Sequence, residues 1–221
     1  IHSKTKFITG EEKVNLWASL GRVLTKDVIS DMNMPPFNKT AVDGYACRKV
    51  DASKELEVIE IIAAGSVPKK AIGSGQCSKI MTGAMIPQGA DCVLMFEDTK
   101  EVAPERIIFT GDKPKSNICV LAEDMRIGDV AIKKGTTISK QHIAIMAALG
   151  CHQPIVTRKP SVAVLVTGDE LVEPEIKPQG GQIRNSNGHQ LVGQILEANA
   201  IPRYIGIVND TEDATYKALS D

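Results

Sequence analysis

Aromatic side chains are scarce here: one tryptophan, three tyrosines and four phenylalanines in 221 residues. A core must therefore be built mostly from Val, Ile, Leu, Ala and Met. An excess of either charge is also lacking. The 26 basic and 27 acidic residues leave a net charge of −1, which excludes a general attraction to nucleic acid or to an anionic membrane. Any anionic ligand must be held by a local constellation. The five cysteines (Cys47, Cys77, Cys92, Cys119 and Cys151) form no C-x-x-C pair and are odd in number, which argues against a disulfide framework or a structural zinc site. A reducing compartment, the cytoplasm, is the expectation. His2, His142, His152 and His189 are scattered without metal-ligand spacing. The longest apolar runs, such as Val162 to Val166, are far too short to span a membrane. No signal peptide is visible, and a start at Ile1 rather than Met leaves room for residues upstream.

What is present reads as alternating local patterns. Thr9 and Glu12 have capping-box spacing, with Val14, Trp17 and Leu20 following at helical intervals and Gly21 as the stop, so a helix is expected there. Arg22 to Ile29 alternates as a strand does, and Met34-Pro35-Pro36-Phe37 breaks regular structure. From about residue 45 to 124, short apolar runs (Leu56 to Ala64, Cys77 to Met81, Cys92 to Phe96, Arg106 to Phe109) are separated by Gly, Pro and Asp clusters, the pattern of a small all-β domain. Ser139 caps a predicted helix with Ile143, Met146 and Leu149 on one face and Gly150 as its stop. After Pro160 the order is strand, helix, strand, helix. Ser161 to Val166 reads as a parallel strand buried on both faces, Asn187 to Ala200 as a helix, Arg203 to Val208 as a strand, and Thr211 as the cap of a last helix. That is half of a doubly wound α/β domain. Two strands make a poor parallel sheet, so truncation is expected.

Several segments could carry chemistry, each with a plainer reading beside it. Thr167-Gly168-Asp169-Glu170 and Asn209-Asp210-Thr211 follow the two predicted parallel strands, where ligands of open α/β sheets sit. Their backbone N–H groups suit an oxyanion and their carboxylates a hydrated magnesium ion; the plainer reading is capping of turns and helices. Asp43-Gly44 reads first as a hairpin turn. Met81-Thr82-Gly83-Ala84 reads as a strand running into a loop, and Glu123-Asp124 as a solvated surface turn.

Together these strings resemble a known family. Met34-Pro35-Pro36-Phe37 followed by Ala41-Val42-Asp43-Gly44-Tyr45-Ala46 is similar to the PPF…DGYA signature of the MoeA-type molybdopterin molybdenumtransferases, which include the E domain of gephyrin. Met81-Thr82-Gly83-Ala84 with Gly89-Ala90-Asp91, Glu123-Asp124, Thr167-Gly168-Asp169-Glu170-Leu171 and Gly181-Gln182-Ile183-Arg184-Asn185-Ser186-Asn187 follow in the family's order. The likeness runs through essentially the whole chain. Positions where relatives often carry arginine hold Cys119 to Ala122 and Gly188 instead, and Asn185 stands for an aspartate.

The resemblance implies a multidomain α/β fold. A discontinuous, elongated α+β domain (residues 1–33 and 125–157) carries an inserted small β domain (34–124), and a partial MogA-like doubly wound α/β domain (158–221) follows. A serine- and glycine-rich loop and a C-terminal β domain are expected beyond Asp221, and the chain alone is expected to be inactive. The implied activity is Mg²⁺-dependent insertion of molybdenum from molybdate into adenylyl-molybdopterin with release of AMP. Asp43, Asp124 and Glu170 align with acidic residues of the family's cleft, for metal-water binding or proton transfer, with Asp43 and Glu170 as metal ligands. Thr82 aligns with a hydroxyl that hydrogen-bonds substrate, and Thr167, Gly168, Asp169, Ser186 and Asn187 line the pterin nucleotide's place. The implied assembly is a homodimer with a cleft shared between subunits, supplied by a molybdopterin adenylyltransferase, without nucleic acid or membrane. The rival readings are a non-catalytic pterin- or protein-binding scaffold of the same fold, and a tungstate-specific homologue.

Overall fold

The computed structural model describes residues 10–220. Thr9, the expected first cap, lies outside them. The helix expected after it is not formed: Glu11–Lys13 is a strand (β1), and Trp17–Ser19 makes a single 3-10 turn with Trp17 85% exposed. The apolar spacing of Val14, Trp17 and Leu20 therefore marks no buried helical face.

The middle of the chain begins with β2 (Val28–Ile29), β3 (Lys39–Thr40) and β4 (Gly44–Cys47). Then come β5 (Leu56–Ile62), β6 (Gln76–Ile80), β7 (Cys92–Met95), β8 (Thr99–Ala103) and β9 (Arg106–Phe109). Strands β10 (Ile118–Cys119) and β11 (Val130–Ile132) close this stretch. The apolar runs read from the sequence are strands β5, β6, β7 and β9. Beyond it lie helix α1 (Lys140–Ala148), β12 (Ile155–Thr157), β13 (Ser161–Thr167), β14 (Leu171–Val172) and β15 (Ile183–Arg184). Helix α2 (Asn187–Glu197), β16 (Ile201–Val208) and α3 (Glu212–Ser220) follow.

Two compact units result: Asp27–Ile132 with Ala148–Gly150, and the remainder of the described chain. In the first, six strands form one sheet in the order β7-β4-β6-β5-β9-β8. Period-two alternation covers both of its faces. Cys47, Leu56, Cys77, Cys92, Leu94 and Ile107 pack with Tyr45 in one cluster, while Ala46, Ile62, Ile80, Ala84 and Val93 form another. The hairpin turn expected at Asp43-Gly44 is absent. Strand β3 pairs with β10, and Gly44 opens β4 instead. A Cβ on Gly44 would lie 2.0 Å from the Leu94 carbonyl oxygen, so glycine serves the close approach of β7 and not a turn.

In the second unit, β1 pairs antiparallel with β12, and buried Arg22 reaches the Glu12 carboxylate and the Thr157 carbonyl. That bond to Arg22 holds the Glu12 carboxyl below its usual range. Ser139 caps α1 as expected, with Met146 buried, and the helix is followed, in residues assigned to the first unit, by buried Leu149 and by Gly150 at φ +70°. Strands β13 and β16 form a parallel pair, crossed over through α2. Strand β13 is not buried on both faces: Ser161, Val162 and Ala163 are exposed, because among the described residues this sheet has only two strands.

Candidate functional site

Asp43 and Thr82, 39 residues apart, are brought into direct contact. The backbone N–H and the hydroxyl of Thr82 both donate to Asp43 Oδ1, at 2.6 and 2.8 Å. Local rules explain the arrangement. The Ala84 N–H donates to the Met81 carbonyl across Thr82-Gly83, with Gly83 at φ +82°, the position where a type II turn requires glycine. The turn itself uses only the Ala84 N–H, which leaves that of Thr82 for Asp43. Thr40 docks the turn: Gly83 N–H donates to its carbonyl, and its own N–H donates to the Ala84 carbonyl. The Thr40 side chain, 1% exposed, accepts from Val42 N–H and donates to the Val42 carbonyl, curling residues 40–43 toward Thr82. The Asp43 carbonyl accepts from Phe96 N–H, tying the loop to the end of β7.

The two bonds from Thr82 hold the Asp43 carboxyl below its usual range, the backbone donor contributing most. Asp43 is therefore a carboxylate at neutral pH, with Oδ1 occupied and Oδ2 presented on an exposed loop. The hydroxyl of Thr82 spends its proton on Asp43, so toward any ligand it is an acceptor.

Glu123-Asp124 is a turn, as its sequence suggests, and its two carboxylates differ. Glu123 bends back to accept from Val120 N–H, whereas Asp124 is exposed and makes no side-chain hydrogen bond among the described residues. The antiparallel register of β10 on β3 pairs Ile118 with Thr40 and Cys119 with Lys39. The Asp124 N–H donates to the Met34 carbonyl. Asn38 staples this segment, its side chain accepting from Leu121 N–H and its carbonyl from Ile86 N–H. Neither Asn38 nor Thr40 was singled out in the sequence; a polar side chain beside a proline-rich break was the available signal.

In the second unit the remaining candidates gather at one end of the parallel pair. Thr167 ends β13, and Gly168 (φ +150°) turns the chain beneath the Glu170 carboxylate. Asp169 accepts from Asp210 N–H at 3.2 Å, so the loops after β13 and β16 are joined. Thr211 caps α3 through Ala214 N–H. Thr211 thus caps a helix, as in the plainer reading, while Asp169 ties two loops together. Glu170 is exposed, and its carboxylate makes no hydrogen bond among the described residues. Ser186 and Asn187 begin α2, yet the cap is supplied by buried Asn185, which accepts from Gly188 N–H at 3.0 Å. A Cβ on Gly188 would lie 2.8 Å from Val166 Cγ2 and 2.9 Å from Asn185 Nδ2, so the helix start packs directly on the end of β13. The Asn185 amide donates to the Tyr204 hydroxyl, which donates to Glu173, which meets His189 at 3.2 Å. Burial and Glu173 push the Tyr204 hydroxyl up to about 12. These positions lie up to 31 residues apart, and no local pattern in the sequence links them.

Among the described residues, no group of three or more His, Cys, Asp or Glu could hold a metal ion. A single unengaged carboxylate oxygen such as Asp43 Oδ2 can at most contact a cation that keeps its waters. No helix of the described chain is long and apolar enough to cross a membrane.

A proline-marked loop leading into an Asp-Gly strand, a Thr-Gly turn docked on it and a mixed α/β fold define a class, and known proteins supply its name. The model of the MoeA N-terminal region (domain I and II) matches residues 1–150. The chain therefore belongs to the MoeA family. It is 37% identical to a Bacillus subtilis protein named molybdopterin molybdenumtransferase, the alignment covering 95% of this chain and 51% of that protein. It is 43% identical to the Staphylococcus epidermidis protein of the same name, over 79% of this chain and 43% of that one. The crystal structure of the molybdopterin biosynthesis MoeA protein from Pyrococcus horikoshii superposes with a TM-score of 0.84 at 34% identity, covering 96% of this chain and 58% of that one. The chain spans about half the length of the curated relatives it matches.

Proposed function

We propose that this chain carries part of a molybdopterin molybdenumtransferase, inserting molybdenum from molybdate into adenylyl-molybdopterin with release of AMP in a Mg²⁺-dependent step. The observation that carries the reading is the Asp43–Thr82 pair. A carboxylate on an exposed residue is held ionised by two donors from one turn, both to Oδ1, with no bond to Oδ2 among the described residues. Opening a phosphoanhydride requires charge neutralised at phosphate and an attacking oxygen positioned. A magnesium ion, when bound, supplies the neutralisation, with Asp43 and Glu170 as its protein carboxylates. Asp43 Oδ2 can equally accept a proton from the attacking oxygen, and Thr82 Oγ1 accepts a hydrogen bond from substrate. Asp124 offers a second unengaged carboxylate in the same unit as Asp43. Thr167, Gly168, Asp169, Ser186 and Asn187 surround the end of the parallel pair where an α/β unit takes a nucleotide's phosphate.

The finer architecture belongs to the same reading. It has an elongated domain of residues 1–33 and 125–157, an inserted β domain of 34–124, and a MogA-like α/β domain from 158. The proposed assembly is a cytoplasmic homodimer with a shared cleft, fed by an adenylyltransferase. The test is AMP release and cofactor formation by the intact protein given adenylyl-molybdopterin, molybdate and Mg²⁺. No AMP release refutes the enzyme, turnover undiminished by a chelator removes magnesium from it, and a preference for tungstate reassigns the oxyanion.

A further inference from the structure

Three buried cysteines stand side by side across three neighbouring strands. Cys47, the last residue of β4, lies opposite Cys77 of β6 on one side and opposite Cys92, the first residue of β7, on the other. All three are 0% exposed and belong to one cluster. Only one pair of sulfurs touches: Cys47 Sγ and Cys92 Sγ are 3.5 Å apart and hydrogen-bonded. All five cysteines are free thiols.

We propose that Cys47 and Cys92 are a reversible modification site, closing to a cross-strand disulfide when the protein meets a hydroperoxide and reopening under thiol reductant. Directly opposed residues of an antiparallel pair have Cβ atoms about 4.5–5.5 Å apart, close to disulfide geometry. The sulfurs must approach by roughly 1.5 Å to reach the bonded distance of about 2.04 Å, a shift within reach of side-chain rotation. Cys92, which opens the edge strand β7, is the nucleophile. Either thiol can donate in the Cys47–Cys92 contact, and with Cys47 as the donor the bond draws the Cys92 thiol down and pushes that of Cys47 up. Cys77 stays protonated, its thiol pushed up to about 12 by burial and by Glu57.

Cys92, having lost its proton to solvent, attacks the peroxide oxygen. The S–O bond forms, the O–O bond breaks, and the departing alkoxide or hydroxide takes the proton of Cys47. The Cys47 thiolate then attacks the Cys92 sulfur, and hydroxide leaves, protonated by solvent to water. Two thiols and one hydroperoxide give one disulfide, one alcohol or water, and one water. Strand β7 is the edge of the sheet and the pair occupies its terminal rung, so fraying of one strand end admits the oxidant. The disulfide would clamp the two strands whose other end holds the Asp43 loop through Phe96 N–H.

The test treats the intact native protein with hydrogen peroxide, caps remaining thiols with N-ethylmaleimide and maps tryptic peptides without reduction. Lys39, Arg48, Lys70, Lys79 and Lys100 place the three cysteines on separate peptides. The expected product links the Cys47 and Cys92 peptides, two hydrogens lighter than their sum, and vanishes with dithiothreitol, while Cys77 is recovered capped. A Cys77→Ala variant should keep the link, and Cys47→Ala should halt Cys92 at a dimedone-reactive sulfenic acid. A Cys47–Cys77 link, a link between molecules, or full capping of Cys47 and Cys92 after Cys119 has been oxidised each overturns the proposal. The native mapping decides even if a variant fails to fold.

Discussion

Replacing Gly44 by alanine probes the tightest contact beneath the candidate site. The new methyl carbon would lie 2.0 Å from the Leu94 carbonyl oxygen and 2.8 Å from its carbonyl carbon. Real Cβ contacts essentially never fall under 3.0 Å, so β7 would have to retreat by at least about 1 Å. The obstacle is backbone, bonded into the ladder of β4 with β7, and no side-chain rotation relieves it. Overpacking of this kind costs about 1–3 kcal/mol. At about 2–4 °C per kcal/mol for a chain of this length, Tm should fall by roughly 2–12 °C. The control is Gly193→Ala in helix α2, where nothing lies within 4 Å of the added carbon. There the better helix propensity of alanine should stabilise by about 0.5–1 kcal/mol. Thermal melts of both variants followed by circular dichroism give the assay. Opposite signs are expected; a Gly44→Ala melt no lower than wild type would refute the close-packing argument.

Removing the Thr82 hydroxyl (Thr82→Val) should raise the Asp43 pKa toward its ordinary value, because one of the two donors that depress it is lost; an unmoved carboxyl titration by NMR would contradict this. The depressed Glu12 and Asp43 carboxyls contribute stability that is complete above their unfolded pKa values and is lost as pH falls through the folded ones. Glu12→Gln should accordingly flatten the acid limb of the stability profile measured by urea unfolding. The Tyr204 hydroxyl, raised to about 12, should ionise at lower pH in a Glu173→Gln variant, read from tyrosinate absorbance against a Tyr204→Phe blank. The stabilisation tied to that neutral hydroxyl is complete below its unfolded pKa and is lost as pH rises through about 12. In the intact protein, Glu170→Gln should lower turnover strongly and leave the melt within a few tenths of a kcal/mol, roughly the effect of an exposed surface change; the reverse pattern would make Glu170 a structural residue.

The β strands were legible where apolar runs met Gly, Pro and Asp punctuation, as at β5, β6, β7 and β9. Strand β8 escaped because Thr99 to Ala103 is a polar edge segment with no buried residue. Residues 10–20 misled because periodicity is a local signal, while β1 is made by pairing Glu11 with Thr157, a partner 146 residues away. Asp43-Gly44 carried a turn's composition for another reason, the approach of Leu94. The resemblance pointed to Asp43 and Thr82 separately. Their contact depends on the docking of two turns through Thr40, which no pattern along the chain could supply.

Turnover of Asp43→Asn in the intact protein, normalised to the folded fraction, is the direct measurement. Asparagine keeps an oxygen for the Thr82 donors but cannot take a proton or neutralise a cation. The account predicts a loss of at least about 100-fold in AMP release from adenylyl-molybdopterin, the lower range for a positioned acid–base group, with Tm nearly unchanged. Wild-type turnover from folded Asp43→Asn protein would contradict it.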